Sequence, residues 1–435
     1  MKKITGLLGF LLVSMYAVNG QSILTLQEAI RIGVDNNYAI IIAENNQAAN
    51  KYAHNIGNAG MLPTISIGGS ASYSNTNVRQ EQANGNIISS DAAVSTNYAA
   101  NALLSWTLFD GLKMFATYDR LAQLRNQSEV KTRFEMENTI SSIMLSYFEV
   151  VKNQQIYLSI LETIGVGEER VNIAQKKFDI GSGAKTELLQ SKIDLNNLRS
   201  QLYDQQILIY QAKTNLNTLL ARDPAVEFEV EDSIPLGNLL VLADIRKESL
   251  VNNSWLQINE FDININKMFR REINSARFPK LTFTAGYNFS RNQNQAGFLL
   301  LNQNFGFNTG VSLSMNLFDS WRVNTQYKLA TYSMENAKNN YNLVKLQTDA
   351  QVVNTFNKYS TYLNQSGLQQ ENMLMAQENV TLSLERFKQG LSNFLELREA
   401  QKSYIESVTL YVTTLYNAKV QEIELLRLKG ELVKK

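Results

Sequence analysis

The 435-residue sequence contains no cysteine, one histidine and four prolines. The missing cysteine excludes disulfides, thiolate zinc sites, a cysteine nucleophile and a lipid-anchored N-terminus of the bacterial lipoprotein kind. His54 alone leaves a Ser-His-Asp triad barely possible, and a two-His metal site would need several chains. Four prolines fall far below the usual share of about 5%, so long uninterrupted helices are allowed. Lys plus Arg number 41 against 40 Asp plus Glu, which leaves no basic excess for nucleic acid. No motif for a cofactor stands out: Gly181-Ser182-Gly183 lacks the Lys-Ser/Thr of a phosphate loop. Met373 and Met375 read as packing residues rather than copper ligands.

At the N-terminus, Lys2 and Lys3 precede an apolar run from Leu7 to Val13, and Ala17-Val18-Asn19-Gly20 offers small residues before Gln21. This is the pattern of a secretory signal peptide over residues 1–20, too short to span a bilayer. Its removal takes two lysines and leaves a mature net charge of −1. No later segment reaches the roughly 18 apolar residues of a transmembrane helix, but strands of a barrel stay possible.

The remainder is written twice. Leu108-Phe109-Asp110-Gly111 and Leu317-Phe318-Asp319-Ser320 are spaced by 209 residues, as are Phe178-Asp179-Ile180-Gly181 and Phe387-Lys388-Gln389-Gly390. Glu187-Leu188 and Glu396-Leu397 share that spacing, and Leu62-Pro63 and Phe278-Pro279 recur at 216. Several matches in one order indicate a tandem duplication. The expected halves are 21–221 and 241–435, joined by a linker over 222–240 that holds Pro224 and Pro235.

Within each half the hydrophobic period changes in the same order. Leu26 to Asn58 has helical spacing. Strict alternation follows over 64–74 and 96–108, and in the second half over 280–290 and 307–317, predicting two hairpins with polar loops. Ile65, Ile67, Ala71, Tyr73, Tyr98, Leu104 and Trp106 fall on the apolar side of the first hairpin, opposite Ser, Thr, Asn and Gly. Asp110 and Asp319 are placed to cap the helices that follow. Those helices, over 111–179 and 320–388, contain no proline and would each run roughly 100 Å. Gly165, Gly167 and Gly367 are expected to weaken them locally. Helices 185–221 and 394–432 carry heptad seams: Leu188, Leu195, Leu202, Ile209 and Leu216 in one, Leu397, Tyr404, Tyr411, Ala418, Leu425 and Leu432 in the other.

Four alternating strands cannot close a barrel, since the smallest need about eight. Three chains giving four strands each would close at twelve and pair every edge, with the helical parts extending together as a tube. The competing reading is a periplasmic or surface coiled-coil interaction protein with a small β domain, whose apolar sheet face would pack a core rather than meet lipid.

The order helix, hairpin, long helix, glycine turn, helix, repeated after a signal peptide, resembles the TolC-like outer-membrane efflux proteins. The resemblance spans about Leu24 to Leu432. It is carried chiefly by Phe-x-x-Gly with a carboxylate six residues on, from Phe178 through Gly181 to Glu187 and from Phe387 through Gly390 to Glu396, and by the stretch Ser392–Gln401. It implies a mainly α protein with membrane β, forming a homotrimer with a twelve-stranded outer-membrane barrel and an α-barrel tunnel in the periplasm of a Gram-negative bacterium. It also implies a periplasmic adaptor and an inner-membrane pump as partners, outer-membrane lipid around the barrel, no catalysis, no cofactor and no metal.

The same resemblance assigns site residues. Glu396 and Glu399, three apart on one helical face, match acidic positions around the periplasmic entrance, and Glu187 matches a gating carboxylate; the bland alternative is a solvated face paired with Arg398 or Lys402. Phe178 and Phe387 flank the same entrance. Ile180, Gly181 and Ser182, with Gln389, Gly390 and Leu391, would form the helical tips that meet the adaptor. Ser392 stands where the family places a basic partner, and Phe387 replaces a tyrosine, so a closed state must use other contacts. Substrate identity is not encoded in these features.

Overall fold

The computed structural model of the chain describes residues 23–433, apart from 238 and 298, so the expected signal peptide lies outside the described residues. In chain order the elements are β1 (Ile23–Leu24), α1 (Leu26–Asn36), α2 (Tyr38–Ala53), β2 (Thr64–Glu81), β3 (Ile87–Phe109), α3 (Lys113–Asp179) and α4 (Lys185–Leu219). They continue with β4 (Glu229–Val230), α5 (Leu242–Asn252), α6 (Ser254–Asn274), β5 (Lys280–Asn294), β6 (Leu301–Ser314), α7 (Arg322–Lys388) and α8 (Phe394–Lys429). None of the described helices is long and apolar enough to cross a membrane.

The expected order of elements holds, while several ends move. The predicted first helix is two helices, because Asn37 stops α1 and starts α2: its side chain accepts the Ala39 N–H at 2.9 Å and donates to the Leu219 carbonyl at 2.8 Å. Both hairpins grow toward their turns, since backbone groups pair across a ladder whatever the side chains once the register is set, and strict alternation marks only the central stretch. At its other end β6 stops at Ser314, short of the expected 317. Gly165, Gly167 and Gly367 do not interrupt α3 or α7, each 67 residues long. At Gly167 close packing offsets the cost of about 1 kcal/mol per glycine: a Cβ there would come within 3.3 Å of the Leu195 side chain, so the bare backbone permits that approach, whereas Gly165 and Gly367 have open space around them.

The chain divides into two compact units, each drawing segments from both sequence halves. One contains residues up to 41, 136–246 and 351–435; the other contains 42–135 and 247–350.

The first unit is helical, with three apolar clusters. One gathers Leu24, Ile143, Tyr147, Phe148, Leu216, Leu220, Phe228 and Val230. Here β1 pairs in parallel with β4, and the buried Tyr147 hydroxyl donates to the Leu24 carbonyl at 3.0 Å while accepting the Glu231 N–H at 3.2 Å. That phenol fastens the start of the described chain to the linker, and burial raises its pKa. A second cluster joins Ile156, Ile160, Ile164 and Leu195 to Ala400, Tyr404 and Val408. A third joins Ile245 to Val352, Tyr359, Leu425 and Leu428. The predicted heptad seams supply part of the buried set of α4 and α8, among them Leu188, Leu195, Ile209, Leu397, Tyr404 and Ala418. Seam residues Leu202 and Tyr411 are only half-buried, while Val408, Val412 and Ile423 are buried outside the seam.

The second unit holds the sheet, in the order β2-β3-β5-β6 and antiparallel throughout. Pro63 and Pro279 immediately precede its first strands on each side, where no ladder N–H is required. Asp110 caps α3 by accepting the Met114 N–H at 3.1 Å, and Asp319 accepts that of Val323 at 2.9 Å, as the sequence suggested. The His54 ring packs tilted against Tyr118 with centroids 4.3 Å apart, and its Nδ1 lies 3.3 Å from the Arg125 guanidinium.

Candidate functional site

Two regions carry the candidate function, the sheet and the pair of helical turns. In the sheet, the register places Ile65 opposite Leu104, Leu104 opposite Ala285 and Ala285 opposite Thr309, so all strands align the same face. That face carries Ile67 at 86% exposure, Tyr73 at 68%, Phe307 at 71% and Leu313 at 70%. An apolar surface of this extent is a site of contact with lipid or protein. Among the described residues, both outer strands, β2 and β6, also present an unpaired edge.

The two turns lie in the helical unit, between α3 and α4 and between α7 and α8. Gly181 and Gly390 have φ of +75° and +74°, a region only glycine enters without Cβ strain. Each sits in the same capping motif. Gly181 N–H donates to Phe178 O at 3.0 Å and Ser182 N–H to Lys177 O at 2.8 Å; Gly390 donates to Phe387 O at 3.1 Å and Leu391 to Arg386 O at 2.9 Å. These are the paired bonds of a Schellman ending, which explains why the glycine follows the phenylalanine by three. Ile180 at 78% and Leu391 at 67% exposure project from the tips beside exposed Ser182 and Gln389.

The carboxylates are placed less symmetrically. Glu187 is half-buried in the first turn of α4, whereas Glu396 and Glu399 are exposed on α8. Glu396 faces Arg386 at 3.4 Å rather than Arg398 or Lys402, and Lys402 reaches Glu406 at 3.7 Å. Such exposed pairs contribute little stability, which leaves Glu396 available to solvent. Phe178 and Phe387 differ as well: the first is 37% exposed, the second fully buried with the Lys177 ammonium 4.6 Å from its ring centre. Phe387 is therefore a packing anchor that a cation covers.

Above the turns lies a polar core that sequence reasoning missed. Arg170 is completely buried, donates to Asp194 at 2.8 Å and to Gln401 at 3.1 Å, and so ties α3 to α4 and α8. Burial lowers its pKa and Asp194 opposes that shift. Close by, the Tyr404 hydroxyl donates to Glu162 at 2.7 Å; burial first, then this carboxylate, raise its pKa far above the usual value. Nothing in local spacing marks Arg170, because its partners lie on other helices. Asn393 could have been found: Asn-x-x-Glu is a capping-box signature, and its Oδ1 accepts the Glu396 N–H at 3.0 Å.

A sheet with a lipid-compatible face and two open edges, carried on a chain of paired long helices with glycine turns, defines a membrane channel subunit. The comparisons agree. The profile of the outer membrane efflux protein family matches residues 34–222 and 247–431, once in each half. The chain belongs to that family, and it is an outer-membrane protein.

Among solved structures, the chain is similar to the outer-membrane channel OprN, with a TM-score of 0.76 and 16% identity over 93% of this chain and 90% of that one. It is similar to the VceC outer membrane protein of Vibrio cholerae, with a TM-score of 0.75 and 14% identity over 93% and 96%. The CmeC outer membrane channel of Campylobacter jejuni gives 0.79 and 16% over 93% and 85%. At these identities the likeness establishes the fold.

Proposed function

We propose that three copies of this chain close a twelve-stranded barrel and serve as the exit duct of a tripartite efflux or secretion system. A periplasmic adaptor and an inner-membrane pump complete the system, and the pump supplies the energy. The observation that carries this reading is the sheet, whose two unpaired edges and large exposed apolar face are both satisfied only by neighbouring copies in a bilayer. A water-soluble interaction protein would leave that face wet.

Fractionation tests the reading. The protein should stay with the membrane through an alkaline wash, leave it only with detergent, and cross-link as a trimer. Release by alkali alone would sink the duct.

In this duct Glu187, Glu396 and Glu399 ring the periplasmic entrance, Phe178 and Phe387 flank it, and the Ile180–Ser182 and Gln389–Leu391 tips meet the adaptor. The exposure of Glu396 and Glu399 supports the ring, because carboxylates in solvent can attract cations. Replacing both by Gln should lower cation preference and weaken block by multivalent cations in planar bilayers. Unchanged selectivity would remove them from the entrance.

A further inference from the structure

The opposite, polar face of the sheet has a consistent chemistry. It carries Asn97 and Asn101 on β3, Asn288 and Asn292 on β5, and Asn304 and Asn308 on β6, with Asn101 opposite Asn288 and Asn97 opposite Asn292. From the level of Thr282 to that of Asn294 the other positions on this face are Ser, Thr, Gly, Ala, further Asn and a single Leu103. Over that stretch the described residues of this face include no charged side chain; Lys280 lies just below it.

The carboxamides lie along the wall instead of standing out from it. A Cβ at Gly68 would sit 2.5 Å from the Asn101 Oδ1, and one at Gly286 would sit 3.1 Å from the Asn308 Oδ1. The side chains are also bonded to each other: Asn288 donates to Asn308 at 2.7 Å and Asn304 to Asn302 at 2.9 Å. Glycine opposite asparagine thus gives a surface that is polar, thin and neutral. Fixed charge in a bore with low-dielectric walls creates fields that sort solutes by sign, and amide dipoles held against the wall create no such net field.

We propose that the membrane section of the duct is charge-blind, passing polar cargo of either sign, because its wall is built of neutral side chains, and that the asparagine-over-glycine packing keeps that wall thin and the bore wide. The proposal rests on the reading that this face lines the bore of the channel. Discrimination by charge then belongs to the periplasmic part of the protein.

The natural absence of cysteine makes the test direct. Asn101→Cys and Asn288→Cys, on adjacent strands, are made separately, and each full-length channel is placed in a planar bilayer. Cationic and anionic methanethiosulfonate reagents are applied from the extracellular side, with rates normalised to those for a free small thiol. Both reagents should reduce the current, at normalised rates within about threefold of each other, whereas electrostatic steering would separate them tenfold or more.

A tenfold preference for either sign overturns the proposal. If the outward-facing Ala100→Cys reacts and the two asparagine positions do not, the assignment of the bore fails, and with it the barrel reading. Asn101→Asp puts three carboxylates into a trimer and should raise the cation-to-anion permeability ratio several-fold; an unchanged ratio also counts against the proposal. Gly68→Ala should swing the Asn101 amide into the bore and lower conductance while leaving that ratio alone. A shift in the ratio would overturn the proposal, because moving a neutral amide adds no charge to the bore.

Discussion

Phe178 and Phe387 occupy the same place in two copies of one turn, yet Phe178 is 37% exposed and Phe387 is fully buried. The two turns share the same pair of capping bonds, and the first adds one from the Gly183 N–H to the Lys177 carbonyl at 2.9 Å; what differs most is the company. In the first copy Arg170 and Asp194 form a buried ion pair. The positions 209 residues on are Asn379 and Ser403, which line a polar groove open to solvent. Duplication preserved what the chain needs to reverse direction, namely a glycine in the left-handed region, and left the side-chain environment free to diverge. One copy became a tied element, and the other kept a more exposed polar flank.

Breaking the tie should have the largest effect. Asp194→Ala leaves a guanidinium buried without its carboxylate, which should cost about 3–5 kcal/mol. Ser403→Ala, its counterpart, should stay within about 0.5 kcal/mol. Thermal melts of the detergent-purified protein, followed by helical circular dichroism, read both. Equal shifts would mean that the buried pair does not distinguish the copies.

The corners where strand gives way to helix come next. Gly111 and Leu112 have φ of +72° and +71°, and Ser320 and Trp321, 209 residues on, have +59° and +63°. Ser320 therefore occupies a conformation costing about 1–2 kcal/mol for a side chain with a Cβ. Ser320→Gly should raise stability by about 1 kcal/mol. Gly111→Ala should lose more than that, since its Cβ would meet the Ser275 carbonyl oxygen at 2.3 Å, a backbone atom that cannot swing aside. A neutral outcome at Gly111 would show that this corner relaxes freely.

These contrasts indicate what a sequence can disclose. Helix and strand order were legible because amphipathic periods are local, and the glycine turns because Phe-x-x-Gly encodes a capping motif within six residues. Asp110 and Asp319 were legible as caps for the same reason. Arg170 was not, because its worth depends on Asp194 and Gln401, 24 and 231 residues away. Strand ends were hidden too: residues 75–81 and 87–95 extend the first ladder without the strict apolar alternation that would announce it. Phe387 could be read as part of the turn, but its burial under Lys177 arises from the other copy.

A smaller effect should follow from pH. Tyr404 and Tyr416 both have pKa values raised above the ordinary tyrosine range, by burial first and then by Glu162 and Glu149. The fold therefore favours the protonated phenol. That stability is fully present below the unfolded tyrosine value of about 10 and disappears as pH rises through the folded values. Melting temperatures should fall above about pH 10, and fall less steeply in Tyr404→Phe, which has no proton to lose. Tyr404 belongs to α8 and Glu162 to α3, so this variant reports on the seam between the two copies. Identical pH profiles for wild type and variant would assign the alkaline loss elsewhere.

The smallest expected effect concerns how each copy restarts its helix. Asn393 caps α8 through its side chain, whereas Ala184 begins α4 with no side-chain cap, although its backbone angles of −76° and 140° suit one. Ala184→Asn should therefore add about 0.5–1 kcal/mol, and Asn393→Ala should remove about as much. If capping is the main local difference in how the helices restart, each substitution makes one turn more like the other, with opposite signs in the melt. Should Ala184→Asn destabilise instead, the tip of the first copy is held by something other than its backbone, and the exposed Phe178 beside it is the residue to examine first.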